Sequence, residues 1–131
     1  MMRVIFVEDD ALNRRVVRDM LRVIDIDMAE AEDGETGLTM IADAGFDLVL
    51  MDLRMPGIDG LTAIRRLRAM AAPACDTPVI VVTADMAADL KVRCYDAGAN
   101  DVLQKPVALN ALIDAIGRVA AASSGDDLML D

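Results

Sequence analysis

Five short apolar runs, each followed by a stretch with helical spacing, constrain this chain more than any other feature. Arg3–Val7 (RVIFV), Ile26–Ala31, Asp47–Met51 (DLVLM, closing on Asp52), Pro78–Thr83 (PVIVVT) and Asp101–Gln104 have the length and composition of strands. Ala11–Ile24, Gly34–Ala44, Gly60–Met70, Met86–Ala97 and Val107–Ala122 read as helices. In the first of these, Leu12, Val16, Val17, Met20, Leu21 and Ile24 recur at the spacing of one helical face. In the third, Leu61, Ile64 and Leu67 point inward and Arg65, Arg66 and Arg68 largely outward. Asp33 is placed to cap the second helix, and Gly98 to stop the fourth. Strands that are apolar throughout and separated by helices imply a parallel sheet covered on both faces. The expected fold is therefore α/β, a doubly wound (βα)5 sandwich of three layers.

Composition narrows what such a sandwich can do. The 131 residues suffice for one domain, expected over 1–122, with an acidic C-terminal tail over 123–131. That tail (SSGDDLMLD) reads either as a frayed, solvated end or as an acidic motif anchored by Leu128–Leu130. Aromatic residues are scarce, so the core must be aliphatic and methionine-rich. A net charge of −10 repels polyanions and argues against nucleic-acid binding as a function. No apolar run approaches the ~20 residues needed to cross a bilayer, and the start lacks a secretory leader pattern. The expectation is a cytoplasmic protein without membrane contact. Cys75 and Cys94 have no metal-ligand spacing and fit reduced thiols. The chain has no histidine, so it cannot donate from a phosphohistidine or carry a Ser-His-Asp triad.

In an open parallel sheet, ligands bind beyond the carboxyl ends of the strands. Those ends carry Glu8, Asp9 and Asp10 after the first strand and Asp52 after the third. Thr83 closes the fourth, and Lys105 lies just past the fifth. Acidic groups, a hydroxyl and an ammonium are thus expected on one rim. Crowded carboxylates either protonate or recruit a cation, and Mg2+ is the hard divalent ion suited to oxygen ligands. With the cation bound, Asp52 can remain ionised and attack phosphorus, while Lys105 and Thr83 neutralise or hydrogen-bond phosphoryl oxygens. Asp10, directly before a helix, reads as an N-cap rather than a ligand.

The stretches VIFVEDD, VLMDLRMPGIDG and PVIVVTA, together with Lys105–Pro106, resemble the receiver domain of bacterial response regulators over about residues 3–122. The resemblance implies a flavodoxin-like sheet of order 2-1-3-4-5 and a phosphorylation switch in a two-component system or phosphorelay. It implies Asp52 as phosphoacceptor, Asp9 as a direct Mg2+ ligand, and Glu8 as a ligand through water. The backbone carbonyl of Arg54 would complete the protein's share of the metal shell. Thr83 becomes the switch hydroxyl, Ala84 the small residue giving phosphoryl access, and Lys105 the phosphoryl-binding cation beside a cis peptide at Pro106. The implied partners are a histidine kinase or histidine phosphotransfer protein and a downstream protein target. The implied state is a monomer or a phosphorylation-linked dimer, and the domain is not an enzyme beyond its own phosphoryl transfer and loss.

Several positions depart from the pattern. Val102 stands where many receivers carry Tyr or Phe, so the usual Thr–aromatic coupling cannot operate. A smaller partner or a shift of the loop after the fourth strand must serve instead, and Tyr95 is not an obvious substitute. Arg54 and Asp85 lie two residues past Asp52 and Thr83, where they could shield the phosphoryl group as a pair, or Arg54 could touch it directly. Arg14, Arg15, Arg18 and Arg22 read as a solvated basic side of the first helix, or else as a docking side for an acidic partner. Met86, Leu90 and Tyr95 belong to the usual output face.

Other function classes fit less well. A phosphatase of the haloacid-dehalogenase type needs an aspartate two residues after its nucleophile, where this chain has Arg54. A nucleotide- or flavin-binding fold needs a Gly- or Ser/Thr-rich loop after the first strand, where this chain has VEDDALN. The Met start and tapering tail favour a stand-alone chain over a receiver piece of a hybrid kinase.

Overall fold

The computed structural model describes residues 2–129, with side chains through Ala122. The strands are β1 (Arg3–Val7), β2 (Asp27–Ala31), β3 (Leu48–Asp52), β4 (Val79–Thr83) and β5 (Asp101–Gln104). The helices are α1 (Ala11–Val23), α2 (Gly34–Ala44), α3 (Gly60–Arg68), α4 (Leu90–Ala97) and α5 (Leu109–Met129). All strand pairings are parallel, in the order β2-β1-β3-β4-β5. This is the doubly wound α/β architecture expected from the hydrophobic pattern.

Alternation along each strand divides the core in two. Ile5, Val7, Val49, Met51, Val79 and Val81 face α2, α3 and α4, meeting Leu38, Ile41, Ile64, Leu67, Leu90 and Cys94. Val4, Phe6, Leu48, Leu50, Ile80 and Val82 face α1 and α5, meeting Val17, Leu21, Leu112, Ala115, Ile116 and Val119. Strands β3 and β4 are buried along their whole length, which is why their sequences are apolar runs rather than alternations. Each such aliphatic side chain contributes about 1.5–3 kcal/mol on leaving water. Cys75 and Cys94 are both free thiols.

Most element ends follow their caps. Asp10 accepts from the N–H groups of Leu12 and Asn13, and Asp33 from that of Thr36, as N-caps of α1 and α2. Gly98 closes α4 at φ 117.

Four expectations shift. Helix α4 begins at Leu90 rather than Met86, because the Asp85 side chain captures the Ala87 N–H in a turn of its own. Leu12 and Val16 are exposed; only Val17 and Leu21 of α1 are fully buried. Arg68 is not outward. Its guanidinium donates to the carbonyls of Cys75, Thr77 and Gly98, tying the short 3-10 turn Ala74–Asp76 to the end of α4. Helix α5 starts at Leu109 and runs to Met129. The acidic tail expected over 123–131 falls where side chains lie outside the described residues.

Candidate functional site

The carboxyl ends of the strands form a cleft of about 230 Å3 lined by Glu8, Asp9, Asp10, Asn13, Asp52, Arg54, Thr83, Ala84 and Lys105. Asp52 is the last residue of β3 and only 5% exposed. Its backbone is pinned by the start of α3. The Gly60 N–H donates to the Leu53 carbonyl at 2.9 Å, and a Cβ at Gly60 would fall 2.3 Å from the Asp52 carbonyl oxygen. Only glycine permits that approach. Asp59 caps α3 through the Thr62 N–H, and Gly57 turns the intervening loop at φ 81.

Charge is concentrated here. Lys105 Nζ lies 2.7 Å from Glu8 Oε1 and 3.4 Å from Asp52 Oδ1. Asn13 Nδ2 donates to the same Glu8 oxygen at 3.1 Å. Glu8 is 1% exposed, and burial, reinforced by Asp52, pushes its carboxyl above the ordinary range despite Lys105. Burial alone would lower Lys105, but its hydrogen bond to Glu8 and the charge of Asp52 carry its pKa upward instead. The peptide before Pro106 is cis, as expected, and so is that before Pro73.

The hydroxyl side is built from the loop after β4. Thr83 is buried, and its Oγ1 accepts the Asp85 N–H at 3.1 Å. The Asp85 carbonyl accepts from Gln104 Nε2 at 2.8 Å. The Asp85 carboxylate, held below its usual range first by the Ala87 N–H and then by Arg54, lies 3.6 Å from Arg54 Nη2. Arg54 is itself largely exposed, so this pair across the cleft mouth contributes little stability.

Among the described residues, Glu8, Asp9 and Asp52 each offer a carboxylate oxygen within 4.8 Å of the others. An all-oxygen donor set of this kind fits a hard divalent cation such as Mg2+. The excess of buried negative charge, which Lys105 only partly offsets, fits it too.

A family model described as the response regulator receiver domain matches residues 4–117. The chain belongs to that family. This receiver domain is 35% identical over 111 residues to sensor histidine kinase RcsC of Salmonella typhi, covering 85% of this chain and 11% of that protein. It is 34% identical over 125 residues to response regulator MprA of Mycolicibacterium vanbaalenii, covering 95% of this chain and 53% of that protein. The chain thus spans between about a tenth and about half of these curated relatives. Among solved structures, the receiver domain of a sensor histidine kinase from Pseudomonas aeruginosa superposes with a TM-score of 0.82 at 30% identity. That match covers 90% of this chain and 96% of that one. The Pseudomonas domain holds a magnesium ion in its active-site cleft. Receiver domains are signalling modules of two-component systems rather than classical enzymes. No described helix of this receiver is long and apolar enough to cross a membrane.

Within the receiver, the expected residues separate into two groups. Glu8, Asp9, Asp52, Arg54, Thr83, Ala84 and Lys105 line the one cleft. Asp85 stands at its mouth, paired with Arg54. Val102 lies elsewhere, buried in the core cluster that includes Leu90 and Cys94. Pro106 faces α1 beside Leu12 and Val16. Of the residues expected on an output face, Met86 and Tyr95 are exposed while Leu90 is buried. Three participants escaped sequence reasoning: Asn13 on Glu8, Gln104 on the Asp85 carbonyl, and Arg14, which belongs to no solvated face. Arg14 and Arg18 both pair with Glu30 of β2.

Proposed function

We propose that this receiver is a phosphorylation-dependent signalling switch that accepts a phosphoryl group on Asp52. The observation carrying this reading is the meeting of Glu8, Asp9, Asp52, Thr83 and Lys105 in one cleft. The donor is a phosphohistidine on a histidine kinase or histidine phosphotransfer protein. An Asp52 carboxylate oxygen bonds to phosphorus as the phosphorus–nitrogen bond breaks, and the departing imidazole keeps the electron pair. Mg2+, held by Asp9, Asp52, Glu8 through water and the Arg54 carbonyl, would neutralise phosphoryl oxygens when bound. Lys105 supplies a second positive charge by turning from Glu8 to the phosphoryl group. Ala84 leaves the phosphoryl group room, and the Arg54–Asp85 pair screens it from attacking water.

The Thr83 hydroxyl reports the new charge. On turning to a phosphoryl oxygen it gives up the Asp85 N–H, while Gln104 keeps the Asp85 carbonyl. The loop after β4 then rearranges, and the exposed Met86 and Tyr95 beside it offer the change to a downstream protein. This route needs no aromatic residue at Val102. Driving such a switch from 1:99 to 99:1 takes about 5.5 kcal/mol. A doubly charged phosphoryl group gaining Lys105 and Thr83 supplies much of that.

The reading places the domain in a bacterial cytoplasm, as a monomer or phosphorylation-linked dimer, acting on proteins rather than on nucleic acid or membrane. Acetyl phosphate with Mg2+ tests it: intact mass should show one added phosphoryl group on the wild type and none without Mg2+ or on Asp52→Asn. The similarity to the receiver segment of a sensor kinase supports a second reading, a receiver within a hybrid kinase, with the same chemistry at Asp52.

A further inference from the structure

The acidic turn after β1 is held from behind by one side chain. Arg14 lies on the first turn of α1 with a side chain only 11% exposed. Its Nη1 donates to the backbone carbonyls of Glu8 at 2.8 Å and Asp9 at 3.1 Å. Its Nε donates to Glu30 Oε1 on β2 at 3.0 Å, and Nη2 lies 3.9 Å from Glu32 Oε1. The Glu8 N–H adds a second tie to β2 through the Ala31 carbonyl at 3.0 Å. A planar guanidinium reaches both carbonyls and the carboxylate at once; an ammonium cannot.

We infer that Arg14 is a positioning residue for divalent-cation binding, fixing the backbone of Glu8 and Asp9 so that their carboxylates converge with that of Asp52. The inference rests on the cation site proposed above. It also goes against simple electrostatics. Arg14 is a positive charge behind a cation site, so as a mere charge its removal would strengthen cation binding. As an anchor, its removal weakens binding, because the two carboxylates lose their fixed separation and must be ordered by the ion itself. Residues that orient metal ligands in this way typically contribute 10–100-fold in affinity.

The sign of the change therefore decides the matter. Mg2+ is titrated into the full chain, following backbone amide shifts in the cleft, for wild type, Arg14→Met, Arg14→Lys and Arg15→Met. Thermal unfolding without Mg2+ is recorded beside each. Arg14→Met should bind Mg2+ about tenfold more weakly, Arg14→Lys should lie between it and wild type, and the exposed control Arg15→Met should bind at least as tightly as wild type. Equal or tighter binding by Arg14→Met overturns the inference, whatever happens to its melting temperature. Where Arg14→Met does not fold, Arg14→Lys carries the test, and wild-type affinity in that variant overturns it. A wild type that binds no Mg2+ removes the cation site itself, and the inference with it.

Discussion

Lys105 Nζ and Glu8 Oε1 stand 2.7 Å apart, with Glu8 withdrawn from water and Lys105 also reaching toward Asp52 at 3.4 Å. The ammonium thus occupies the negative pocket that both a divalent cation and a phosphoryl group would use. Each N–H that the ammonium gives to Glu8 is one fewer for a phosphate.

Lys105→Met should therefore separate two properties. Without the competing ammonium, Mg2+ should bind several-fold more tightly. Phosphorylation by acetyl phosphate should slow by at least about tenfold, the equivalent of 1.4 kcal/mol. Parallel Mg2+ titration and intact-mass time courses read the two effects. A common direction for both would show that Lys105 does not compete with the cation.

Asp52→Asn removes one charge from a crowded, buried group. The variant should be more stable than wild type without Mg2+ by about 1 kcal/mol, or some 4 °C in melting temperature. Wild type should gain about 2.7 kcal/mol at a Mg2+ concentration a hundred times its dissociation constant. The variant should gain much less. Thermal melts with and without Mg2+ measure both.

Gly60→Ala places a methyl group 2.3 Å from the Asp52 carbonyl oxygen, against backbone on every near side. The end of β3 or the start of α3 must move. A loss of about 1–3 kcal/mol in stability is expected, with slower phosphorylation of the folded fraction. Chemical denaturation and the acetyl phosphate assay check this.

Asp33 gives a pH dependence of known sign. Hydrogen bonds from Thr36 hold its carboxyl below the usual value of 3.8. A carboxylate depressed in the folded state stabilises above its unfolded pKa, and that contribution fades as pH falls through the folded value. Asp33→Ala should cost about 1 kcal/mol at neutral pH. The difference between wild type and Asp33→Asn should shrink as the pH is lowered from 6 to below 3.8, as followed by melting temperature.

Gln104 tests the loop route. In Gln104→Ala the Asp85 carbonyl loses its side-chain donor. Amide shifts should concentrate at Ala84–Asp89 before phosphorylation, and the further change on phosphorylation should be smaller than in wild type. An unaltered phosphorylation response would remove Gln104 from the route.

The sheet was legible because its central strands are sealed on both faces and so are written as uninterrupted apolar runs. The cleft that gathers the candidate residues was legible for a related reason. A parallel sheet carries all its strand ends to one edge, so Glu8, Asp9, Asp52, Thr83 and Lys105 could be gathered from positions far apart in the chain. What escaped were contacts that leave no periodic mark. Arg14 looked like part of a solvated helix side because its partners are two carbonyls and a glutamate on β2. Leu12 and Val16 matched a core stripe, yet they line a shallow hollow beside Pro106 and Val107. The start of α4 was misplaced because one side chain, Asp85, outcompetes helix propensity over the residues that follow it.

A phosphoryl group accepted by Asp52 would be held as an acyl phosphate. Phosphorylated protein would be reduced with borohydride, which converts an aspartyl phosphate to homoserine, and its peptides sequenced by mass spectrometry. Homoserine is expected at position 52 alone, dependent on both acetyl phosphate and Mg2+. Homoserine at Asp9 or another aspartate, with residue 52 unchanged, would contradict it.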